Sequence, residues 1–180
     1  HYPLRRQRQM CIRDRLQAQG SQRGAATGPS PVDRAKCGTA IHLATDEYGM
    51  PLGAVVTKAA ANEGQQTADV LKTLVLVPPG PEVPVVAPDP RDLPSVRADG
   101  AYGNGPTRQR ANGEGFRMRA PSRGQAKSGI GVIRNAVERG HSFLSQFGRI
   151  VRRFDRCDRR YLGWIELAAC VIFIRAGFFL

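Results

Sequence analysis

The stretch Thr39–Thr57, TAIHLATDEYGMPLGAVVT, decides the fold class. Ile41, Leu43 and Thr45 alternate with Ala40, His42 and Ala44, the period of a strand. Leu52–Thr57 is a second β-rich run. Between the two, Asp46-Glu47-Tyr48-Gly49-Met50-Pro51 supplies the acid, glycine and proline of a hairpin loop, so the pair is predicted antiparallel. Just downstream, Ala68, Leu71 and Leu74/Val75 fall at helical spacing after Asn62, Glu63 and Gly64. This predicts a short helix over 65–77 packing back on the hairpin.

Further out the pattern changes. Pro78–Pro94 holds seven of the 13 prolines, too many for regular structure, and predicts a surface loop. Leu93–Ala98 predicts a short strand ending at Asp99-Gly100, and Phe116–Ala120 an edge strand. From Gly131 onward, Ile133, Ala136/Val137, Gly140, Phe143/Leu144, Phe147, Ile150/Val151 and Phe154 step by three and four, which predicts one amphipathic helix of about six turns. Tyr161–Leu180 is long enough to span a bilayer. Glu166 and Arg175 inside it would each cost about 2.5 to 3.5 kcal/mol at a helix centre, so a buried core helix is expected and no membrane partner. The sum is an α/β fold with a mixed sheet and flanking helices.

Lys and Arg number 27 against 15 Asp and Glu in 180 residues, a net charge of +12 that makes nucleic acid the first partner to consider. The 41% hydrophobic content excludes a wholly disordered chain. Cys11, Cys37, Cys157 and Cys170 form no CxxC pair and no zinc-finger spacing, which favours a reducing compartment over a disulfide framework. Residues 1–15, HYPLRRQRQMCIRDR, show neither helical nor strand period. RRQRQMCIRDR back-translates in frame to the adapter of a sequencing library. Composition alone favours a basic arm, but the in-frame match sets 1–15 aside as an adapter-derived artefact outside the domain, 16–180. Without its five Arg and one Asp the remainder carries +8.

Chemistry rests on two acidic residues. On a helical wheel of about 100° per residue, Arg134, Glu138, Arg149, Arg152 and Arg156 fall within about 60° of one another, opposite the apolar face. Glu138 is then either an i,i+4 surface partner of Arg134, worth about 0.2 to 0.5 kcal/mol, or a metal-binding carboxylate beside phosphate-contacting arginines. Asp99 is either a turn residue or a hard oxygen ligand for Mg²⁺ at a strand's end. His42 and His141 read as packing or surface residues. The glycines around Asn104 and Glu114 lack the Lys-Ser/Thr of a phosphate loop, and no nucleophilic triad is defensible.

Four separated blocks change these weights: GPSPVDRAKCGTAIHLATDEYGMPLGAVVTKAAAN (28–62), RADGAY (97–102), RNAVERGHSFLSQFGRIVRRFDR (134–156) and YLGWIELAACVIFIR (161–175). In that order they resemble the C-terminal half of DDE transposases of bacterial insertion sequences, nearest the fifth insertion-sequence family. That family shows a PxDRgKxGTkxHl-vDxxGxPL block, an ADxGY block, a VERtf-W-L block and a YLxxLxLA tail.

The resemblance implies a ribonuclease-H-like sheet and three acidic residues binding two Mg²⁺ ions, for hydrolysis at transposon ends and joining of the 3′ hydroxyl to target DNA. Asp99 matches the second acidic position and Glu138 the third, as catalytic metal ligands. Arg134 and Arg139 match the basic residues flanking Glu138; with Arg149, Arg152 and Arg153 they would neutralise phosphates of double-stranded DNA. Asp46 matches a recurrent hairpin Asp without a catalytic role. The implied setting is the bacterial cytoplasm at the nucleoid, with a homo-oligomer as a further expectation. Gln65, Asn135, Phe143 and Gly148 depart from the pattern, and the N-terminal DNA-binding region is absent. The first catalytic Asp is expected on a central strand just upstream of Leu16. With Asp14 assigned to the adapter, the sheet is expected to be incomplete at the N-terminus, with two unpaired edges, an insoluble or molten fragment and no activity. Genomic DNA upstream of Leu16 should hold an open frame encoding that Asp. The alternative is a non-catalytic basic nucleic-acid-binding protein in which Glu138 only pairs with arginines.

Overall fold

The computed structural model describes residues 9–20, 24–30, 34, 36–74, 93–121 and 130–177. The hairpin forms as expected: β3 (Cys37–Thr45) pairs antiparallel with β4 (Pro51–Lys58), after β1 (Gln9–Gly20) and the short β2 (Gly28–Pro29). β5 (Ser95–Ala98), β6 (Arg117–Arg119) and β7 (Arg152–Arg153) complete a seven-stranded sheet. Its path runs β2-β3-β1-β5-β6; β4 also borders β3, and β7 borders β1. Antiparallel pairing holds among β1, β2, β3 and β4, whereas β5 and β7 are parallel to β1 and β6 is parallel to β5.

Helices cover both faces. On one side lie α1 (Thr67–Lys72) and α2 (Gly105–Gly113), whose Val70, Leu71 and Ala111 share a core with Ala44, Val96, Ala98, Tyr102 and Met118. On the other lie α3 (Ile130–Ser145), α4 (Gly148–Val151) and α5 (Asp158–Arg175), where Leu144, Ile150, Tyr161 and Ile165 pack on Ala18, Ile41 and Leu43. β3 lies between the two layers, and so eight of its nine residues are buried.

The structure corrects several expectations. The central position is not empty: β1 fills it, bordered by β3 and β5, and it runs through the 15/16 boundary where the domain was expected to begin. Cys11 and Ala18, seven residues apart, both pack toward the α3–α5 layer because a bulge between Ile12 and Arg15 inserts one residue. That inserted residue hides the strand period from a strict alternation count. The predicted six-turn helix is broken as well. Phe147 takes an extended conformation (φ −97°, ψ 110°) before Gly148, a poor helix former, and Arg152–Arg153 leave the helix to join β1. Leu144 and Ile150 still reach the same core, while Val151 and Phe154, expected inside, are exposed.

The helix expected over 65–77 is shorter, a 3-10 turn Glu63–Gln66 leading into α1. α5 is not enclosed as a core helix: Tyr161, Ile165, Ala168 and Ile172 are buried on one face, and Trp164, Leu167 and Ile174 are exposed on the other. Among the described residues no helix is long and apolar enough to cross a membrane. α2 was not expected, since GPTRQRANG carries no apolar period; Asn104 caps it by accepting from the Thr107 N–H at 2.9 Å. Most of the proline-rich stretch, 78–92, lies outside the described residues.

Candidate active site

β5 ends where Val96 and Ala98 bury themselves beneath α1 and α2. Asp99 follows in an extended conformation, and its Oδ1 accepts the Ala101 N–H at 2.9 Å. That bond starts a 3-10 turn, Gly100–Tyr102, which the buried Tyr102 anchors. Asp99 is thus a turn-capping residue and also a half-buried carboxylate at the sheet's edge.

Register relates it to the other acidic positions. Ile12 of β1 pairs with Ala98, so Asp99 stands one residue past the pair and Asp14 two residues past it on the neighbouring strand, inside the bulge. On β1's helix side, Cys11 packs against Ala136 and Val137 of α3, and Glu138 is the next residue of that helix, on its exposed side. Strand alternation puts Asp99 on the same face of β5 as Arg97. Arg97 in turn acts on the Cys11 thiol. Burial pushes that thiol up to about 11; Arg97 pulls it down, and Asp46 and Glu47 add to the rise. The end of β5, the bulge of β1 and the middle of α3 therefore surround one short segment, Cys11–Ile12.

Oxygen donors of this kind suit a hard divalent cation and not zinc. Among the described residues, no group of three His, Cys, Asp or Glu side chains converges as a complete cage. Asp46 is buried and spends its Oδ1 on the N–H groups of Tyr48 and Met50, both at 2.9 Å, which closes the hairpin loop. His42 is a packing residue whose Nε2 lies 2.7 Å from Thr57 Oγ1.

The arginines divide. Arg134 lies on α3, and Arg139, exposed on the same helix, donates to the Tyr48 carbonyl at 3.2 Å. Arg149 stacks 4.7 Å over Trp164 with Nη1 3.8 Å from Asp155 Oδ2, and Arg152 is exposed on β7. Arg153, expected to meet phosphate, is instead 3% exposed. Its guanidinium donates to the carbonyls of Ala25, Ala26, Asp155 and Arg156 and to Thr39 Oγ1, with the Tyr161 ring 5.0 Å away. The break at Phe147 ends the helix and puts Arg152 on β7, so the single arginine stripe expected along one helix does not exist.

Two features were not anticipated: Arg97 beside the acidic positions, and the cavity just past Asp99. The second had a sequence signal in Asn62 and Asn104, each beginning a helical turn.

Comparison with known proteins gives two findings. The model of the transposase DDE domain family matches residues 14–173. A putative transposase for insertion sequence element IS402 from Burkholderia cepacia is 34% identical over 148 residues, 81% of this chain and 67% of that protein. No solved structure gives a significant match.

Proposed function

The chain belongs to the transposase DDE domain family and is an insertion-sequence transposase, and from that premise we propose that Asp99 and Glu138 hold two Mg²⁺ ions for cleavage and strand transfer of DNA. Members of the family work with divalent metal ions. The first acidic position would then lie on β1, which carries Asp14. One observation carries the reading: the Ile12–Ala98 pair and the packing of Cys11 on Ala136 and Val137 bring β5, β1 and α3 to one place. A mixed sheet with β1 at its centre supports a ribonuclease-H-like fold.

Bound there, divalent metal supplies activation of the attacking oxygen and stabilisation of the leaving oxygen in an in-line displacement. The chain's own part is positioning. Asp99 is fixed by its bond from the Ala101 N–H, and Glu138 by the seating of α3 on β1. Arg134, Arg139, Arg149 and Arg152 present positive charge to the phosphates of transposon ends and target. The setting is the bacterial cytoplasm at the nucleoid, with the ends brought together by a homo-oligomer.

Asp99→Asn and Glu138→Gln keep size and remove the charge a metal ligand carries. Each should lower nicking of a transposon-end duplex in Mg²⁺ by orders of magnitude, with binding at matched salt retained. Wild-type nicking in either variant overturns the assignment.

A further inference from the structure

We propose that the uncovered face of β5 and β6 binds the phosphate backbone of the DNA duplex beside the scissile bond, through Arg97, Arg117 and Arg119. The proposal rests on the transposase reading and gives its substrate a surface away from the arginines of α3, α4 and β7. β5 and β6 run parallel, with Ser95 opposite Arg117, Val96 opposite Met118 and Arg97 opposite Arg119. Val96 and Met118 turn into the core under α1 and α2, so strand alternation puts all three arginines on the other face. There the α3–α5 layer packs on β1 and β3, at Cys11 among others, the register partner of Arg97. Beyond that layer Arg117 and Arg119 are exposed, and Arg97 is half-buried at its margin. Asp99 lies two residues past Arg97 on the same face, so the arginines lead outward from the edge of the acidic site.

The charge on this face is unbalanced. Arg97 and Arg119 occupy paired positions on strands about 4.8 Å apart, where like charges are destabilising. Among the described residues no carboxylate pairs with Arg117 or Arg119. The sequence that follows β6, SRGQAKSG over 122–129, brings two further cations and no acid. A polyanion laid across the face supplies the missing counter-charge and releases its own counterions as it binds. The layout suits a backbone better than a single small anion. Arg117 and Arg119 stand about 6.6 Å apart along one strand, with Arg97 beside Arg119 on the next, so the three positions spread along and across the sheet instead of enclosing one point.

The strands beneath the arginines are fixed. Val96 and Met118 are buried with Tyr102 and Ala111, and the Arg117 N–H donates to the Pro94 carbonyl at 2.9 Å. The competing role for charge on a strand such as β6 is to deter edge-to-edge association with another chain. Deterrence works with either sign of charge, whereas a phosphate accepts only one. Reversing the charge therefore separates the two roles.

The test uses the full chain and duplexes of its transposon end, with single methylphosphonates, which remove the charge of one phosphate, placed in turn around the cleaved bond. Arg119→Glu sets a carboxylate opposite Arg97, and Arg117→Gln removes a charge while keeping a polar side chain. The thermal midpoint of Arg119→Glu should hold or rise, because a like-charge pair becomes an opposite one. The slope of log affinity against log salt should become shallower by about one in each variant. In wild type, neutralising one or two adjacent phosphates on one side of the cleaved bond should weaken binding by about threefold to tenfold, and the same change should cost the variants less than about twofold. A wild-type chain that binds and nicks, with methylphosphonate losses equal in wild type and both variants or with salt slopes unchanged in both, overturns the proposal and leaves the transposase reading standing. A midpoint that falls in Arg119→Glu denies the unbalanced charge and overturns the proposal as well. A wild-type chain that neither binds nor nicks the duplexes overturns that reading and the proposal with it.

Discussion

Gly140 of α3 and Gly49 of the β3–β4 loop meet backbone to backbone. A Cβ on Gly140 would lie 2.9 Å from the Gly49 carbonyl oxygen and 2.7 Å from Thr45 Cγ2, and one on Gly49 would lie 2.6 Å from the Ala136 carbonyl oxygen. Arg139 closes the same contact by donating to the Tyr48 carbonyl. The helix that carries Glu138 is thus seated along its axis by a hairpin loop whose own shape is set by Asp46.

Substituting either glycine should therefore move α3 or unfold the contact. Gly49 has φ +87°, so Gly49→Ala meets backbone strain as well as the Ala136 carbonyl, for a cost of about 2 kcal/mol or more. Gly140→Ala should cost about 1 to 3 kcal/mol. At about 2 to 4 °C per kcal/mol for a domain of this size, both losses are visible in a thermal melt. An unchanged midpoint in both variants would show that the contact is loose.

Arg152 and Arg153, adjacent on β7, should separate cleanly. Arg153→Ala removes a buried guanidinium from four carbonyls, of which that of Ala26 keeps Thr39 Oγ1 and that of Arg156 keeps the Ala25 N–H as donor, and should cost about 3 kcal/mol of stability. Arg152→Ala should change stability by less than about 0.5 kcal/mol and reduce the slope of DNA affinity against salt by about one. Denaturant titration beside binding at several salt concentrations reads both effects; a reversed pattern would return Arg153 to the DNA surface.

How much was legible follows from the same residues. The hairpin was readable because Asp46, Gly49 and Pro51 interrupt two apolar runs, and β5 and β6 because Val96, Ala98 and Met118 alternate with polar residues. Asp99 and Glu138 emerged from family resemblance, since alone each is a common turn or surface residue. The inward turn of Arg153 was hidden: apolar spacing continues through Phe147, and only the extended backbone there ends the helix. β1 was hidden by its bulge, and the Gly49–Gly140 contact by distance along the chain.

The buried Cys11 predicts a pH dependence. Its thiol titrates near 11 in the folded chain, against 9.0 for the free group, chiefly because burial disfavours the thiolate. Between these values the unfolded chain has released a proton that the folded chain still holds. Stability present in full below about pH 9 is thus lost as pH rises toward 11, by about 2 to 3 kcal/mol. Tyr161, pushed up in the same direction by burial, adds to the fall above pH 10. Cys11→Ala should flatten the fall in melting temperature between pH 9 and 11; an identical slope in the variant would assign the loss to other groups.

Asp14 gives the most direct test of the acidic triad. Sequence comparison with a library adapter sets it aside, yet it stands in the bulge of the central strand, two residues past the partner of Ala98, and the family match begins there. A bulge next to an active site commonly re-aims a side chain. If β1 supplies the third carboxylate, Asp14→Asn should abolish Mg²⁺-dependent nicking as fully as Asp99→Asn, with duplex binding retained at matched salt. Groups that act as one unit are not additive, so the double variant should be no slower than either single one. Nicking at the wild-type rate in Asp14→Asn would remove this residue from the site, leaving Asp99 and Glu138 to be completed by another acid.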